Sequence, residues 1–330
     1  MIQPTLSPAL LHMDPADAAG TIEAAIREMV FGRLRRKGVV VGLSGGIDSS
    51  VVASLAVRAL GKDRVLGLFM PETDSADESE PLGRLIAESL GVKTAREDIS
   101  PILEAVGCYR RRDEAIRILI PEYGRGYKCK VVLPDILGRE GYSVFSVIVQ
   151  SPSGEQTRAR LTAETYLGVV AATNFKQRTR KMIEYYYADR LHYAVAGTPN
   201  RLEYELGFFV KNGDGAADLK PIAHLYKTQV YQLAEYLEIS EEVRCRPPTT
   251  DTYSMPQSQE EFFFSLPYGR MDLCLYAKDQ GYAPEEVNGP LGLTTEQVDR
   301  IYRDIDAKRN AARYLHLSPL LVEATHSDPL

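Results

Sequence analysis

The sequence contains few residues that bind transition metals or form covalent cross-links, since its 330 residues include only four cysteines and five histidines. The cysteines form no Cys-x-x-Cys pair, which argues against a structural zinc site and against a disulfide framework. Scattered thiols are typical of a reducing compartment, so we expect a cytoplasmic location. The four cysteines are Cys108, Cys129, Cys245 and Cys274.

Long apolar runs are also absent from the sequence. No run approaches the ~18 residues that cross a bilayer, and residues 1–15 lack the basic start and apolar core of a signal peptide. We therefore expect no membrane association and no signal peptide. The formal net charge is −6, and since a polyphosphate backbone attracts a basic surface, we expect no nucleic-acid partner.

The rest of the composition is that of an ordinary globular protein, with 44% hydrophobic and 25% charged residues. This length suffices for one large α/β domain with an insertion, or for two modest domains. We interpret residues 1–330 as a single domain, with an insertion at 107–160 and a helical C-terminal extension at 251–330.

The most informative stretch is an apolar run at residues 39–43 that leads into Ser-Gly-Gly-Ile-Asp-Ser-Ser at 44–50. A strand, a glycine-rich turn and a helix N-terminus together form an anion site, because free N–H groups and the helix dipole both favour negative charge. Asp48 would repel a phosphate unless a cation such as Mg²⁺ bridges the two. The stretch lacks the Gly-Lys-Ser/Thr ending of a Walker A loop. It resembles the pyrophosphate loop of enzymes that split ATP into AMP and pyrophosphate.

Alternating strands and helices predict a parallel, doubly wound α/β sheet, whose ligand lies at the carboxyl ends of the strands. We place strands at residues 39–43, 65–70, 93–98 and 191–197. Helices are predicted at 16–34, 49–60, 80–90, 163–189 and 226–237, and residues 198–218 are predicted to be a loop.

Residues 107–160 interrupt this alternation and contain the pattern of a β-hairpin. Its strands are predicted at 144–150 and 155–161, because Ser-Pro-Ser-Gly between them supplies the turn. We interpret the segment as a flap or an oligomer contact. In the tail, residues 295–313 carry a helical pattern.

Charged residues recur near the predicted ligand edge. On a helix, Asn174, Arg178 and Lys181 share one face, which suits an anionic ligand, although a solvated charged surface gives the same pattern. Glu203 follows a predicted strand and is a candidate second ligand of the cation at Asp48. Lys227 stands near a helix start, where the dipole disfavours a cation, so we expect an anion beside it.

Taken in order, these motifs resemble the NAD synthetase family of the ammonia-dependent type. The resemblance runs from about residue 16 to residue 250 and is interrupted by the insertion. It implies an adenine-nucleotide α-hydrolase-like, Rossmann-like fold and a homodimer. The motifs are Ser-Gly-Gly-Ile-Asp-Ser, Asn-x-x-x-Arg-x-Arg, Gly-Thr-x-Asn-x-x-Glu, Lys-x-Gly-Asp-Gly-x-x-Asp, Leu-Tyr-Lys-Thr-Gln-Val and Arg-x-Pro-Thr.

The reaction implied by the resemblance is adenylation of the carboxylate of deamido-NAD⁺ by ATP, followed by attack of ammonia. No amidase-like stretch precedes the matching region, so we expect ammonia to be free or to come from a separate glutaminase. Alternatives are a paralogue that amidates another carboxylate, a non-catalytic nucleotide-binding protein, and a tRNA-modifying or sulfur-transfer relative. The insertion and the altered tail favour the paralogue, because neither Lys308-Arg309 nor Ala312-Arg313-Tyr314 fully matches the family's His-Lys-Arg segment.

The resemblance also assigns roles to residues. It implies Asp48, Lys211 and Lys227 as catalytic residues, and Asp48 and Glu203 as ligands of Mg²⁺. Arg178, Lys211 and Asp218 would contact deamido-NAD⁺. The ATP-binding residues would be Ser44, Gly45, Gly46, Asp48, Ser49, Ser50, Thr198, Lys227 and Thr249.

Overall fold

The centre of the molecule is a parallel four-stranded sheet with the strand order β3-β2-β1-β7. The computed structural model describes residues 4–133, 145–250, 252–264 and 266–323. Central strand β1 aligns Val39 with Val65 of β2 and with Ala194 of β7. The strands of this sheet are β1 (Val39–Gly42), β2 (Val65–Phe69), β3 (Lys93–Arg96) and β7 (Ala194–Ala196).

Helices cover both faces of the sheet, which confirms the predicted doubly wound α/β fold. Side chains of a strand alternate between the two faces, so Val39 and Val41 pack in the cluster of α1, α2 and α8, whereas Val40 packs with Ala188 of α6. The first helices are α1 (Pro15–Arg27), α2 (Ile47–Leu60), α3 (Ser79–Leu90), α4 (Ser100–Ala105), α5 (Cys108–Arg117) and α6 (Ala163–Leu191). The later helices are α7 (Arg201–Leu206), α8 (Lys227–Tyr236), α9 (Glu241–Arg244), α10 (Tyr268–Gln280), α11 (Pro284–Leu291) and α12 (Thr295–His316).

The prediction of a loop at 198–218 was wrong in one part, because these residues contain the short helix α7. The Asn200 side chain accepts a hydrogen bond from the backbone N–H of Glu203, and the Glu203 carboxylate accepts one from the N–H of Asn200. This reciprocal cap satisfies two N–H groups that a helix start leaves unpaired. Asn-x-x-Glu can form it as Ser/Thr-x-x-Glu does, so the helix start was encoded in the motif.

A second sheet lies apart from the first and consists of antiparallel strands in the order β4-β5-β6. Strands β5 (Ser146–Gln150) and β6 (Gln156–Arg160) form the predicted hairpin, whereas β4 (Lys128–Val132) was not predicted. Residue 144, where we expected the hairpin to start, lies outside the described residues. Buried side chains of this sheet pack against the two helices α5 and α6, in one cluster with Ile116 of α5 and Val169 of α6.

The C-terminal helices α10, α11 and α12 form their own apolar cluster, which includes Leu202 of α7 and Tyr226 next to α8. Asp272 of α10 accepts hydrogen bonds from the backbone N–H groups of Lys227 and Thr228, and so caps the start of α8. The tail is therefore packed against the elements that follow β7. Among the described residues, no helix is long and apolar enough to cross a membrane.

A buried ionic cluster connects four parts of the chain that are distant in sequence. The Lys176 ammonium, 1% exposed, donates to Glu72 Oε1 at 2.8 Å, Asp74 Oδ2 at 2.6 Å and the Thr252 carbonyl at 2.7 Å. Arg112 of α5 adds a second cation at 2.5 Å from Asp74. Burial alone would raise the pKa of Asp74, but Lys176 and Arg112 outweigh it and hold that pKa below its ordinary value. The cluster therefore ties the β2–α3 turn to α5, to α6 and to the segment around Thr252.

Replacing Lys176 with methionine should lower the free energy of unfolding by about 3–5 kcal/mol, because Glu72 and Asp74 would stay buried without their ammonium. Urea denaturation followed by circular dichroism measures the change. Lys128→Met is the matched control, since Lys128 is exposed on β4, and its effect should stay within about 0.5 kcal/mol. Equal effects of the two variants would contradict a structural role for the cluster.

Candidate active site

The Ser-Gly-Gly-Ile-Asp-Ser loop connects β1 to α2 at the carboxyl edge of the sheet. Gly45 has a φ of +71°, which glycine adopts at little cost. A Cβ atom there would lie 2.4 Å from the Ser79 carbonyl oxygen, so only glycine fits. Helix α2 begins at Ile47, and its first N–H groups have no partner within the helix. The predicted anion site is therefore present as a helix N-terminus at a strand end.

The serines of this loop have different roles in the structure. The hydroxyls of Ser49 and Ser50 donate to the Gly46 carbonyl at 3.0 and 2.9 Å, and the Ser44 hydroxyl lies 3.2 Å from that of Ser49. Ser44, Gly46 and Ser49 line the adjoining cavity, whereas Gly45 and Ser50 do not. Ser50 therefore stabilises the turn through its hydrogen bond to Gly46 without lining the cavity.

The strand order explains why two distant motifs meet here. From β1 the chain continues to β2 on one side, whereas β7 lies on the other side, so the loops after β1 and β7 separate and leave a crevice. Asp48 follows β1 and Glu203 follows β7. Asn200 connects the two, because its Nδ2 donates to Asp48 Oδ1 at 3.2 Å and its backbone N–H donates to Glu203 Oε2 at 3.1 Å.

The anion that we expected near Lys227 is Asp48. The Lys227 ammonium is fully buried and forms an ion pair with the Asp48 carboxylate. Burial alone would lower the pKa of Lys227, but the charges of Asp48 and Glu203 outweigh it and raise that pKa above its ordinary value. Burial, and then the neighbouring Asp48 charge, raise the pKa of Glu203 to about 8. One lysine therefore does not fully compensate two carboxylates.

A divalent cation bound here would add the positive charge that favours the ionised form of Glu203. Among the described residues, no group of three or more acidic, histidine or cysteine side chains could hold a metal ion. Asp48 and Glu203 form a pair, and two carboxylates together with substrate phosphates are the oxygen ligands that Mg²⁺ commonly takes. Thus the residues present fit the expected cation.

The loop opens into a cavity of about 470 Å³. Of the predicted ATP and metal residues, it is lined by Asp48, Thr198, Glu203, Lys227 and Thr249 besides the loop atoms. The cavity lining also includes charged residues that we did not predict from the sequence, among them Arg180, Glu184, Asp214 and Arg246.

Arg246 is the best placed of these additional residues. Its guanidinium donates to the Ser79 hydroxyl at 2.9 Å and to the Ser44 carbonyl at 3.4 Å, beside the phosphate loop. It is the first residue of the Arg-x-Pro-Thr motif that ends at Thr249. The motif was therefore a sufficient signal, and only the threonine was chosen from it.

The cations of α6 do not form the single face that we predicted. Arg178 is exposed, whereas Lys181 is buried and its ammonium lies 2.5 Å from Glu184 Oε2. Lys176 is buried in the ionic cluster, and Arg180 faces the cavity. These four cations therefore have different surroundings and do not form one anion-binding surface.

None of the three residues predicted to contact deamido-NAD⁺ lines the cavity. Arg178 Nε donates to the Lys211 carbonyl at 3.3 Å. The Lys211 ammonium donates to the carbonyls of Tyr314 and Leu317 at 2.7 and 2.9 Å, at the end of α12. Asp218 accepts from the Val195 N–H at 2.7 Å. Their assignment to this substrate stays a prediction, as does a catalytic role for Lys211.

A doubly wound parallel sheet with a Ser-Gly-Gly-Ile-Asp-Ser loop at its switch point defines a nucleotide-binding α/β protein of the adenine-nucleotide α-hydrolase fold. Solved structures of this fold are similar to the chain. "NMN synthetase from Francisella tularensis" has a TM-score of 0.65 at 22% identity and covers 94% of this chain and 99% of its own. "NH3-dependent NAD synthetase from Campylobacter jejuni" has a TM-score of 0.61 at 23% identity and covers 94% and 100%.

Sequence comparison identifies the family. The model of the family described as NAD synthase matches residues 19–117 and 150–312. A protein of Mesorhizobium japonicum named "NH(3)-dependent NAD(+) synthetase" is 60% identical over 94% of this chain and 98% of its own length. The chain belongs to the NAD synthase family, whose members are ligases. Residues 118–149, which the family model does not match, fall within the predicted insertion.

Gly45→Ala should greatly weaken ATP binding, because the new Cβ atom would collide with the Ser79 carbonyl and α2 would move away from its position. Gly20→Ala is the matched control, since Gly20 lies in α1 and a Cβ atom there meets nothing within 4 Å. Calorimetric titration of each variant with Mg²⁺ and ATP measures the difference. Similar affinities for the two variants would show that the conformation of Gly45 does not shape the loop.

Proposed function

We propose that the protein amidates deamido-NAD⁺ with ammonia, consuming ATP and releasing NAD⁺, AMP and pyrophosphate. The observation that carries this proposal is the joining of Asp48, Glu203 and Lys227 at the open end of a helix N-terminus. The names of the relatives, among them the Mesorhizobium japonicum protein, support ammonia as the nitrogen donor and NAD⁺ as the product. The finer steps and residue roles below are part of the proposal.

In the first step, a carboxylate oxygen of the substrate forms a bond to the α-phosphorus of ATP. The bond between that phosphorus and the β-phosphate oxygen breaks, and pyrophosphate leaves. The N–H groups at the start of α2 hold the phosphates, with Ser44 and Ser49 beside them. Asp48 and Glu203 would hold Mg²⁺, which neutralises phosphate charge when bound.

Lys227 supports this step from within the protein. Its raised pKa keeps the ammonium charged, so it holds Asp48 in place and adds positive potential where charge accumulates on the leaving pyrophosphate. In the second step, the ammonia nitrogen attacks the acyl carbon, the bond to AMP breaks, and a proton is lost. No covalent enzyme intermediate is needed, because catalysis rests on positioning and charge.

We further propose that the protein is a homodimer that pairs through the outer face of α6. Large apolar side chains on this face are exposed, with Leu167, Met182 and Tyr186 at 63%, 54% and 55%. Arg178 lies on the same face at helical spacing. The residues expected to contact deamido-NAD⁺ therefore adjoin a surface that a second copy would cover. The cysteines are free thiols, which supports the cytoplasmic location that we propose.

The decisive assay follows NAD⁺ formation from deamido-NAD⁺, ATP, Mg²⁺ and ammonium. Asp48→Asn should lower pyrophosphate release on the order of 10²-fold or more, because it removes a carboxylate from the phosphate site. Asp299→Ala, on the exposed side of α12, is the control and should behave as the wild type. Absence of NAD⁺ from a folded, ATP-binding protein would instead favour amidation of another carboxylate.

Met182→Glu should shift the protein towards monomers, because a dimer through α6 would bury two like charges at its centre. Sedimentation velocity at several concentrations measures the state. Met182→Leu preserves the apolar surface and should leave the dimer intact. If the wild type is itself a monomer at micromolar concentration, the proposed pairing is wrong.

A further inference from the structure

The cavity is lined by two chemically different groups of side chains. Asp48, Glu203 and Lys227 lie beside the phosphate loop and carry the reaction proposed above. The second group is aromatic and has no part in that scheme. It includes Phe145, Tyr166, Tyr253, Phe262 and Phe263.

Two of these aromatic rings form a stacked pair. The ring centroids of Phe145 and Tyr166 are 4.4 Å apart and their planes differ by 21°. Phe145 immediately precedes β5, and its carbonyl accepts a hydrogen bond from the Leu161 N–H at 2.9 Å. Tyr166 lies in the first turn of α6, which is capped by Thr162. Both rings are only partly buried and border the cavity, so a rigid support presents them to a bound molecule.

The second sheet also holds the other aromatic residues in place. Strand β4 is an edge strand of the second sheet. Its edge that faces away from β5 contacts the segment 254–261. The Cys129 N–H donates to the Ser254 hydroxyl at 2.9 Å, and the Met255 N–H donates to the Cys129 carbonyl at 3.1 Å. Further along, Gln257 Nε2 donates to the Val131 carbonyl at 2.5 Å. Tyr253 and Phe262 lie directly before and after this segment. The second sheet therefore holds both of these aromatic residues in position.

These residues are partly outside the general family pattern. The unmatched stretch 118–149 contains β4, Phe145 and most of β5. The added segment therefore supplies Phe145 and the strand β4 that holds residues 254–261, whereas the other aromatic residues and the phosphate loop lie in the matched part of the chain.

We propose that the added sheet is part of the substrate site and that the Phe145–Tyr166 pair contacts the planar base of a bound nucleotide. The proposal rests on the proposed function, whose two nucleotide substrates both carry flat aromatic rings together with phosphates. Stacking on an aromatic side chain stabilises a bound base and is tolerant of the base identity. The ring is either the adenine of ATP or a ring of deamido-NAD⁺, and the experiment distinguishes these two sources.

Phe145→Ala should raise the KM of one of the two nucleotides on the order of tenfold, with a smaller effect on the other. Tyr166→Leu should affect the same nucleotide, whereas Tyr166→Phe keeps the ring and should remain near the wild type. Tyr127→Ala is the matched control, because Tyr127 packs in the same apolar cluster without bordering the cavity. If Tyr127→Ala raises the same KM equally, the sheet acts through stability alone and the proposal is wrong.

A binding readout avoids dependence on activity and on the fold of the alanine variant. The chain has no tryptophan, so Phe145→Trp introduces a single indole at the proposed contact, whose emission can be excited separately from that of the tyrosines. Its emission should change on titration with Mg²⁺ and ATP, or with deamido-NAD⁺, but not with inorganic pyrophosphate, which lacks a ring.

The outcomes separate the two proposals. NAD⁺ formation by the wild type tests the proposed function, and the variants test only the aromatic contact. An active wild type whose KM values are unchanged in Phe145→Ala, with emission of Phe145→Trp unaffected by both nucleotides, would overturn the contact while leaving the function intact.

Discussion

The structure depends on the burial of one ammonium group. Lys227 is withdrawn from water, and a buried charge is tolerated only beside opposite charge, so Asp48 must lie against it and Glu203 close by. The backbone at Lys227 is in turn bound by Asp272 of α10. Through its side chain and its backbone, one residue thus connects the phosphate loop, the start of α8 and helix α10 of the tail. The charge balance that stabilises this arrangement is also the one that suits a phosphate-bound cation.

Much of the site could be predicted because its signals are local. The apolar run before Ser44 encodes β1, and the glycines after it encode the turn. Because the carboxyl ends of parallel strands share one edge, the sequence also placed Asp48 and Glu203 together, and the structure brings both to the same cavity. The cap formed by Asn200 and Glu203 was equally local, and it was overlooked only because the segment was taken as an irregular loop.

Other features could not be predicted, because they depend on which distant segment covers a residue. Nothing in the sequence near Lys176 distinguishes it from exposed Arg178, and the difference arises from Glu72 and Asp74, about a hundred positions earlier. Strand β4 was not predicted for a similar reason. Its sequence alternates two lysines with apolar residues, and its position is set by β5 on one edge and by residues 254–261 on the other.

The Lys176 cluster also bears on how the chain folds. Its ammonium joins groups separated from it by 104, 102 and 76 positions, and such distant pairings form only after long loops have closed. Until all three partners are in place, the charged groups stay hydrated, because burying them would cost more desolvation free energy than the incomplete ion pairs contribute. We therefore expect the wall made by the β2–α3 turn and the Thr252 segment to become ordered late and together, in one cooperative step of folding.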